Sequence, residues 1–197
     1  MGYDTDFRGS FKLNKPLSLE MRTYLKKFNE TRRMKRYLRS EYGIEGEFFV
    51  DGKGFMRQDS DTPDVINGNE PPNTQPSLWC QWTPSEDGTE IQWDGGEKFY
   101  YYIDWIHYII YKFLAPNGYI LNGKVEWVGE DSFNDRGEIV IKDNKVNHSP
   151  DFTFTTGPVL DEKTMRAKVE KIAKPKSKAE VATKKVKKIK KIVGKKK

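Results

Sequence analysis

The stretch Trp93–Leu114, WDGGEKFYYYIDWIHYIIYKFL, constrains this chain most, because it is an apolar, aromatic run in an otherwise polar sequence. Asp94-Gly95-Gly96 opens it and Pro116-Asn117-Gly118 closes it, both turn-forming combinations. Between them Phe99, Ile103, Ile106, Ile110 and Phe113 recur at spacings of four, three, four and three, the period of one helical face. Tyr102, Trp105 and Ile109 widen that face, which predicts a helix buried around much of its circumference. The rest of the chain has to cover it.

The cover is predicted to be mostly strands. Phe11 and Leu13 alternate with Ser10 and Lys12 at the end of residues 3–13, a short strand. Ser18 then offers an N-cap, with Glu20 in the first turn where the helix dipole favours it. Met21, Tyr24, Leu25 and Phe28 form the apolar stripe of this first helix, and the pattern runs on through Met34 and Leu38 to Gly43. Gly46–Met56 reads as a hairpin or a strand–turn, with Asp51-Gly52 supporting the turn. Asp59–Ser77, with four prolines and few apolar residues, reads as a long loop. Leu78–Thr83 and Thr89–Trp93 form a second hairpin, with Leu78, Cys80 and Trp82 on one side and Trp79 and Gln81 on the other. Tyr119–Val128 is a strand with Val125 and Trp127 on one face. Arg136–Lys142 and Lys145–His148 pair across Asp143-Asn144, and Phe152–Leu160 adds an edge piece. The fold class is therefore α+β: a mostly antiparallel sheet with two helices packed on one face, plus a basic C-terminal tail.

That tail changes what the averages mean. The chain has 197 residues, 36% of them hydrophobic, and a net charge of +6. Residues 161–197 alone hold sixteen Lys/Arg against four Asp/Glu, a net of +12, which leaves −6 on residues 1–160. The expected organisation is an acidic compact domain, 1–160, and a lysine-rich tail, 161–197. A helix is predicted from Asp161 to Pro175; beyond it Ala182, Val186, Ile189 and Val193 fall at helical spacing among lysines. Alone, that last stretch is expected to be disordered.

Compartment is read from absences. The single cysteine, Cys80, excludes an internal disulfide and fits a reducing compartment. The start MGYDTDFRGSF has no signal-peptide pattern and no Ser/Thr at residue 6 for myristoylation. No apolar run approaches the roughly 18–20 residues of a membrane span. A cytoplasmic or nuclear protein is expected, or one carried in a virion if the source is viral.

Several motifs resemble a known family when taken together: Gly2-Tyr3-Asp4-Thr5-Asp6-Phe7, Phe28-Asn29-Glu30-Thr31-Arg32-Arg33-Met34-Lys35-Arg36, Leu78-Trp79-Cys80-Gln81-Trp82, Trp93-Asp94-Gly95-Gly96-Glu97-Lys98-Phe99-Tyr100 and Gly118-Tyr119-Ile120-Leu121-Asn122-Gly123-Lys124-Val125-Glu126-Trp127. They resemble a widespread family of small soluble proteins of unassigned biochemical function, found in cellular and viral genomes. The resemblance covers residues 2–147 and implies one compact domain, with no catalytic residues to carry over. At the position of His107 the family pattern is usually acidic, so this chain departs from it there. The lysine-rich extension lies outside the resemblance.

The strongest functional signal is the tail: Lys184, Lys185, Lys187, Lys188, Lys190, Lys191, Lys195, Lys196 and Lys197. Lysines act as mobile point charges that release counterions from a phosphate backbone. No Arg, Asn, Gln or aromatic residue follows Arg166, so groups that read base edges are missing. Nucleic acid or another polyanion is the expected partner, without sequence specificity. Nuclear import through Lys184–Lys191 and attachment to an anionic membrane surface use the same residues. A second basic group, Arg32, Lys35, Arg36 and Arg39, is predicted within two turns of the first helix. It would clamp a phosphate or an acidic partner, or pair with the Asp-rich loop.

An enzyme would have to use Tyr100, Asp104, His107 and Tyr111, a polar stripe on the central helix in which Asp104 would orient His107. Asp4, Asp6, Asp94, Glu97, Glu126 and Glu130 lie near turns, where carboxylates gather around divalent cations. Against this, the sequence has no His/Cys metal spacing, P-loop, G-x-G-x-x-G or G-x-S-x-G. No metal and no cofactor is implied. Trp79, Tyr101 and Tyr108 are expected to point away from the core, forming with the acidic loop a groove for a protein or ligand. The sequence favours a non-enzymatic binding or accessory protein; a metal-assisted or acid–base enzyme is the alternative.

Overall fold

The computed structural model describes residues 2–50, 62–131 and 135–149. Chain order is β1 (Thr5–Leu13), α1 (Leu19–Glu30), β2 (Lys35–Arg36), β3 (Val65–Asn67), β4 (Trp82–Pro84), β5 (Glu90–Trp93), α2 (Tyr102–Ile109), β6 (Leu121–Gly129), β7 (Arg136–Lys142) and β8 (Lys145–Ser149). Six strands form one sheet in the order β4-β5-β1-β6-β7-β8, every neighbouring pair antiparallel. The expected α+β class is what the chain adopts. The tail and the edge piece at Phe152–Leu160 lie outside the described residues, as does the domain boundary at residue 160.

Alternation puts one sheet face in the core. Phe7 and Phe11 on β1, Leu121, Val125 and Trp127 on β6, and Ile139 and Ile141 on β7 are buried, while Arg8, Lys12, Lys124 and Glu126 stay exposed on the opposite face. Phe7 packs edge-on against Trp82, Phe99 and Tyr102, and Phe28 of α1 meets Trp105 of α2 at 5.8 Å. Each such side chain, fully buried, contributes roughly 2 kcal/mol before entropy is counted. Both helices lie on this apolar face. The β7–β8 hairpin turns where expected, with Asp143 and Asn144 at φ 51 and 66, the two left-handed positions that Asn and Asp tolerate in a tight hairpin. Asn144 also ties the turn to β6, accepting from Leu121 N at 2.7 Å and donating to Tyr119 O at 3.0 Å.

Four expectations are corrected. The central helix does not take in Phe99; Lys98 and Tyr101 both have left-handed backbone (φ 58) and α2 starts at Tyr102. The cause is distant: Asp4 Oδ1 accepts from Lys98 N at 3.0 Å, holding the segment out of helical register. After Ile109 the helix widens into a π turn, Ile110–Leu114, then tightens at Ala115–Asn117 and stops at Gly118 (φ 72).

The first helix begins at Ser18, whose side chain accepts from Met21 N, but ends at Glu30. Thr31 turns extended there, its hydroxyl donating to Lys27 O at 2.6 Å. Arg33 N donates to Leu78 O at 2.7 Å, so the chain runs on as strand. Arg32, Lys35, Arg36 and Arg39 are therefore not on a helix. Ile44–Gly46 is a 3-10 turn, not the start of a hairpin, and residues 51–61 with the expected Asp51-Gly52 turn lie outside the described residues. Finally, the Asp59–Ser77 loop contains a strand, β3, which pairs with β2 in a separate two-stranded ribbon. Among the described residues no helix is long and apolar enough to cross a membrane.

Candidate functional site

The four-residue stripe of the central helix is divided. Tyr100 precedes the helix, is 45% exposed, and its hydroxyl accepts from Tyr3 N at 3.0 Å. The left-handed Tyr101 separates it from Asp104, which is buried inside the first turn of α2. His107 follows on α2, half-buried, and Tyr111 belongs to the wider π turn that continues it. Asp104, His107 and Tyr111 thus share a continuous helical segment; Tyr100 does not join them.

Three of the carboxylates near the turns, Asp4, Asp94 and Glu126, are used within the fold. Asp4 holds Lys98 N through its side chain and accepts from Glu130 N through its carbonyl at 3.1 Å. Asp94 accepts from Asn29 Nδ2 and from Gly96 N, both at 2.7 Å. Glu126 pairs with Lys124 at 2.9 Å, and that hydrogen bond lowers its pKa. Among the described residues no three or more His, Cys, Asp or Glu side chains come together in a way that would hold a metal.

The quoted motifs meet one another at this end of the sheet. Asn29 Nδ2 bridges Cys80 O at 2.9 Å and Asp94; Gln81 Nε2 donates to Glu97 O at 2.7 Å and its Oε1 accepts from Trp93 Nε1 at 3.0 Å. Segments more than fifty residues apart are locked by side chain to backbone bonds, a satisfied polar junction. Cys80 belongs to it as a packing residue: it is fully buried, and burial pushes its thiol pKa up, away from thiolate chemistry.

Each arginine and lysine of the second basic group has a partner. Arg32 donates to Asn69 at 3.3 Å, Lys35 pairs with Glu70 at 3.2 Å, and Arg39 pairs with Glu41 at 2.6 Å on the surface. Arg36 is only 4% exposed; it donates to Asp64 at 2.6 Å and lies over the Phe49 ring. Burial alone would raise the Asp64 pKa, but the Arg36 guanidinium outweighs it and the carboxyl sits below its ordinary value. The pairing with the Asp-rich loop is the arrangement adopted by Arg36.

The sequence reading missed Arg33. It is fully buried, stacks over Phe28 at 4.2 Å, and donates to Gln75 Oε1 at 3.0 Å and to the carbonyls of Glu47 and Phe49. Desolvation lowers its pKa, the cost of burying a cation. Nearby Glu47 takes the Thr74 hydroxyl and faces Lys112 at 3.8 Å, and Tyr108 accepts from Gln75 Nε2 at 3.2 Å. Nothing in the run Arg32-Arg33-Met34-Lys35-Arg36 distinguishes the one arginine that enters the core. Tyr108 is buried too, which corrects its expected outward position, and Trp79 and Tyr101 are half-buried. The large apolar side chains that do face solvent include Tyr37 (83% exposed), directly after β2, and Ile66 (54%) on β3. The tail lysines Lys184–Lys197 lie outside the described residues.

Comparison of the chain with family models, with curated proteins and with solved structures found no match. The class that the fold defines is an α+β domain with one helix-covered and one solvent-facing side of its sheet.

Proposed function

We propose that this is a non-enzymatic binding protein: its lysine-rich residues 161–197 hold nucleic acid or another polyanion without sequence specificity, and its acidic folded domain contacts a protein or ligand. The division of charge carries the reading, +12 on residues 161–197 and −6 on residues 1–160. A segment of that charge density binds phosphate chiefly by releasing counterions, while an acidic domain is repelled by the same backbone. Asp4, Asp94 and Glu126 are engaged in bonds within the fold, and Tyr100 stands apart from Asp104 and His107. Tyr37 and Ile66 face solvent and give the domain exposed apolar side chains for such a contact.

The test compares the full chain with a truncation to residues 1–160 for retention on DNA at low and high salt. Retention of the full chain at low salt, its release at high salt and no retention of the truncation are expected. Equal retention of the two would end the proposal.

A further inference from the structure

We propose that two copies of this chain pair through β8, edge to edge, about a two-fold axis at Asn147. The two ends of the six-stranded sheet are finished differently, and that contrast carries the proposal.

β4, at one end, is blunted. It has three residues and closes on Pro84, which has no N–H to offer. Asn29 Nδ2 of α1 donates to the Cys80 carbonyl just ahead of it at 2.9 Å. β8, at the other end, has five residues, no proline and no break in its pairing with β7. Among the described residues β7 is its one strand neighbour. An edge of that kind is a template for another strand.

The hairpin turn fixes which backbone groups face outward. Asp143 and Asn144 both have left-handed backbone and form a two-residue loop, so Lys142 and Lys145 are the hydrogen-bonded pair that closes it. Pairs alternate from there. Val140 with Asn147 and Glu138 with Ser149 are bonded, while Ile141 with Val146 and Ile139 with His148 are the pairs between. The N–H and C=O groups of Val146 and His148 therefore point away from β7.

These groups are complementary to their own copy. An antiparallel strand related by a two-fold at Asn147 sets Val146 opposite the partner's His148, and His148 opposite the partner's Val146. Every outward group is then used, in four interchain hydrogen bonds. An axis at Val146 or at His148 pairs one of the two residues with itself and sends the other to Asn144 in the turn or beyond Ser149.

The side chains suit that register. Val146 and His148 share the core face with Ile141 and Ile139 and are half-buried, so each would lie against the partner's counterpart. On the open face Lys145 falls opposite the partner's Ser149, so like charges do not meet, and Asn147 faces its own copy. A contact of five residues is small, so the dimer forms at high protein concentration and separates on dilution. A two-chain particle carries two lysine-rich segments, but the pairing does not rest on the function proposed for them.

Light scattering and cysteine cross-linking of the full chain test this. The mass is expected to rise from one chain to two with concentration. Val146→Pro removes two of the four interchain bonds while sparing the ladder to β7, and should raise the dimer dissociation constant by about tenfold or more. Asn147→Cys, in a pair whose Cα atoms would be about 4.5 Å apart, should give a disulfide-linked dimer under mild oxidation. Lys145→Cys is out of register with its own copy and should not; Cys80 is buried and takes no part. A one-chain mass at every concentration would overturn the proposal, and is the result expected if Phe152–Leu160 of the same chain covers the edge. Equal cross-linking of Asn147→Cys and Lys145→Cys would overturn it too. Should Val146→Pro not fold, the two cysteine variants decide.

Discussion

The Arg36 guanidinium donates to the Asp64 carboxylate at 2.6 Å while its plane covers the Phe49 ring at 4.6 Å. One side chain thus gathers two parts of the segment between α1 and β4 that are fifteen residues apart in sequence. It also settles how the buried member of the basic group is used: its charge is directed inward.

Arg36→Ala should therefore act on stability. It removes a largely buried cation and leaves Asp64 with a lost partner, a cost of about 1–3 kcal/mol given that Asp64 keeps some solvent. Urea denaturation measures it. Asp64→Asn should lose less, and should flatten the acid side of the stability profile. The sign follows from the lowered carboxyl pKa: the pair stabilises the fold above the ordinary Asp value, and this is lost as pH falls through the depressed folded value.

Two glycines of the central strand pair set up a second prediction. Gly9 (φ 105) and Gly123 (φ 137) approach the partner strand so closely that an added Cβ would stand 2.8 Å from Lys124 O and 2.9 Å from Ser10 O respectively. Both contacts are with backbone, which cannot swing aside. Gly123→Ala should destabilise by about 2 kcal/mol or more, from left-handed strain plus the clash. A thermal melt within a degree of the unaltered chain would contradict it.

Tyrosine titration tests the packing around α1 and the π turn. Burial raises the Tyr24 pKa to about 12 and moves Tyr102 and Tyr108 upward as well. An acid whose folded pKa is raised stabilises the fold below its unfolded pKa, near 10, and loses that contribution as pH climbs toward the folded value. Near-ultraviolet absorbance should show a late class among the ten tyrosines, and stability should fall between roughly pH 10 and pH 12. Tyr24→Phe should shrink that class without removing it.

Local chemistry was legible where local chemistry decides. Ser18 as N-cap, the Asp143-Asn144 turn and the buried face of Val125 and Trp127 follow from side-chain type and spacing alone. Two elements misled because a distant partner overrides the local pattern. Met34 continues the stripe of Tyr24 and Phe28, yet Leu78 O draws Arg33 into an extended path and the helix ends. Phe99 keeps helical spacing with Ile103, yet Asp4, ninety-four residues from Lys98, holds the entry in left-handed backbone. The strand order, with β1 between β5 and β6, is likewise a property of long-range pairing. For the site, charge division is visible at a glance, but the buried Arg33 network depends on which arginine the fold encloses, and adjacent arginines look alike.

We propose that the nine lysines from Lys184 to Lys197 hold the polyanion. The most direct measurement is the salt dependence of duplex DNA binding by the full chain, beside a full chain in which those lysines are glutamine. A linear fall of log affinity with log salt is expected, with a slope of up to about −8 if every lysine neutralises a phosphate, and near-complete loss of binding in the glutamine chain. A flat salt profile, or undiminished binding after the replacement, would contradict it.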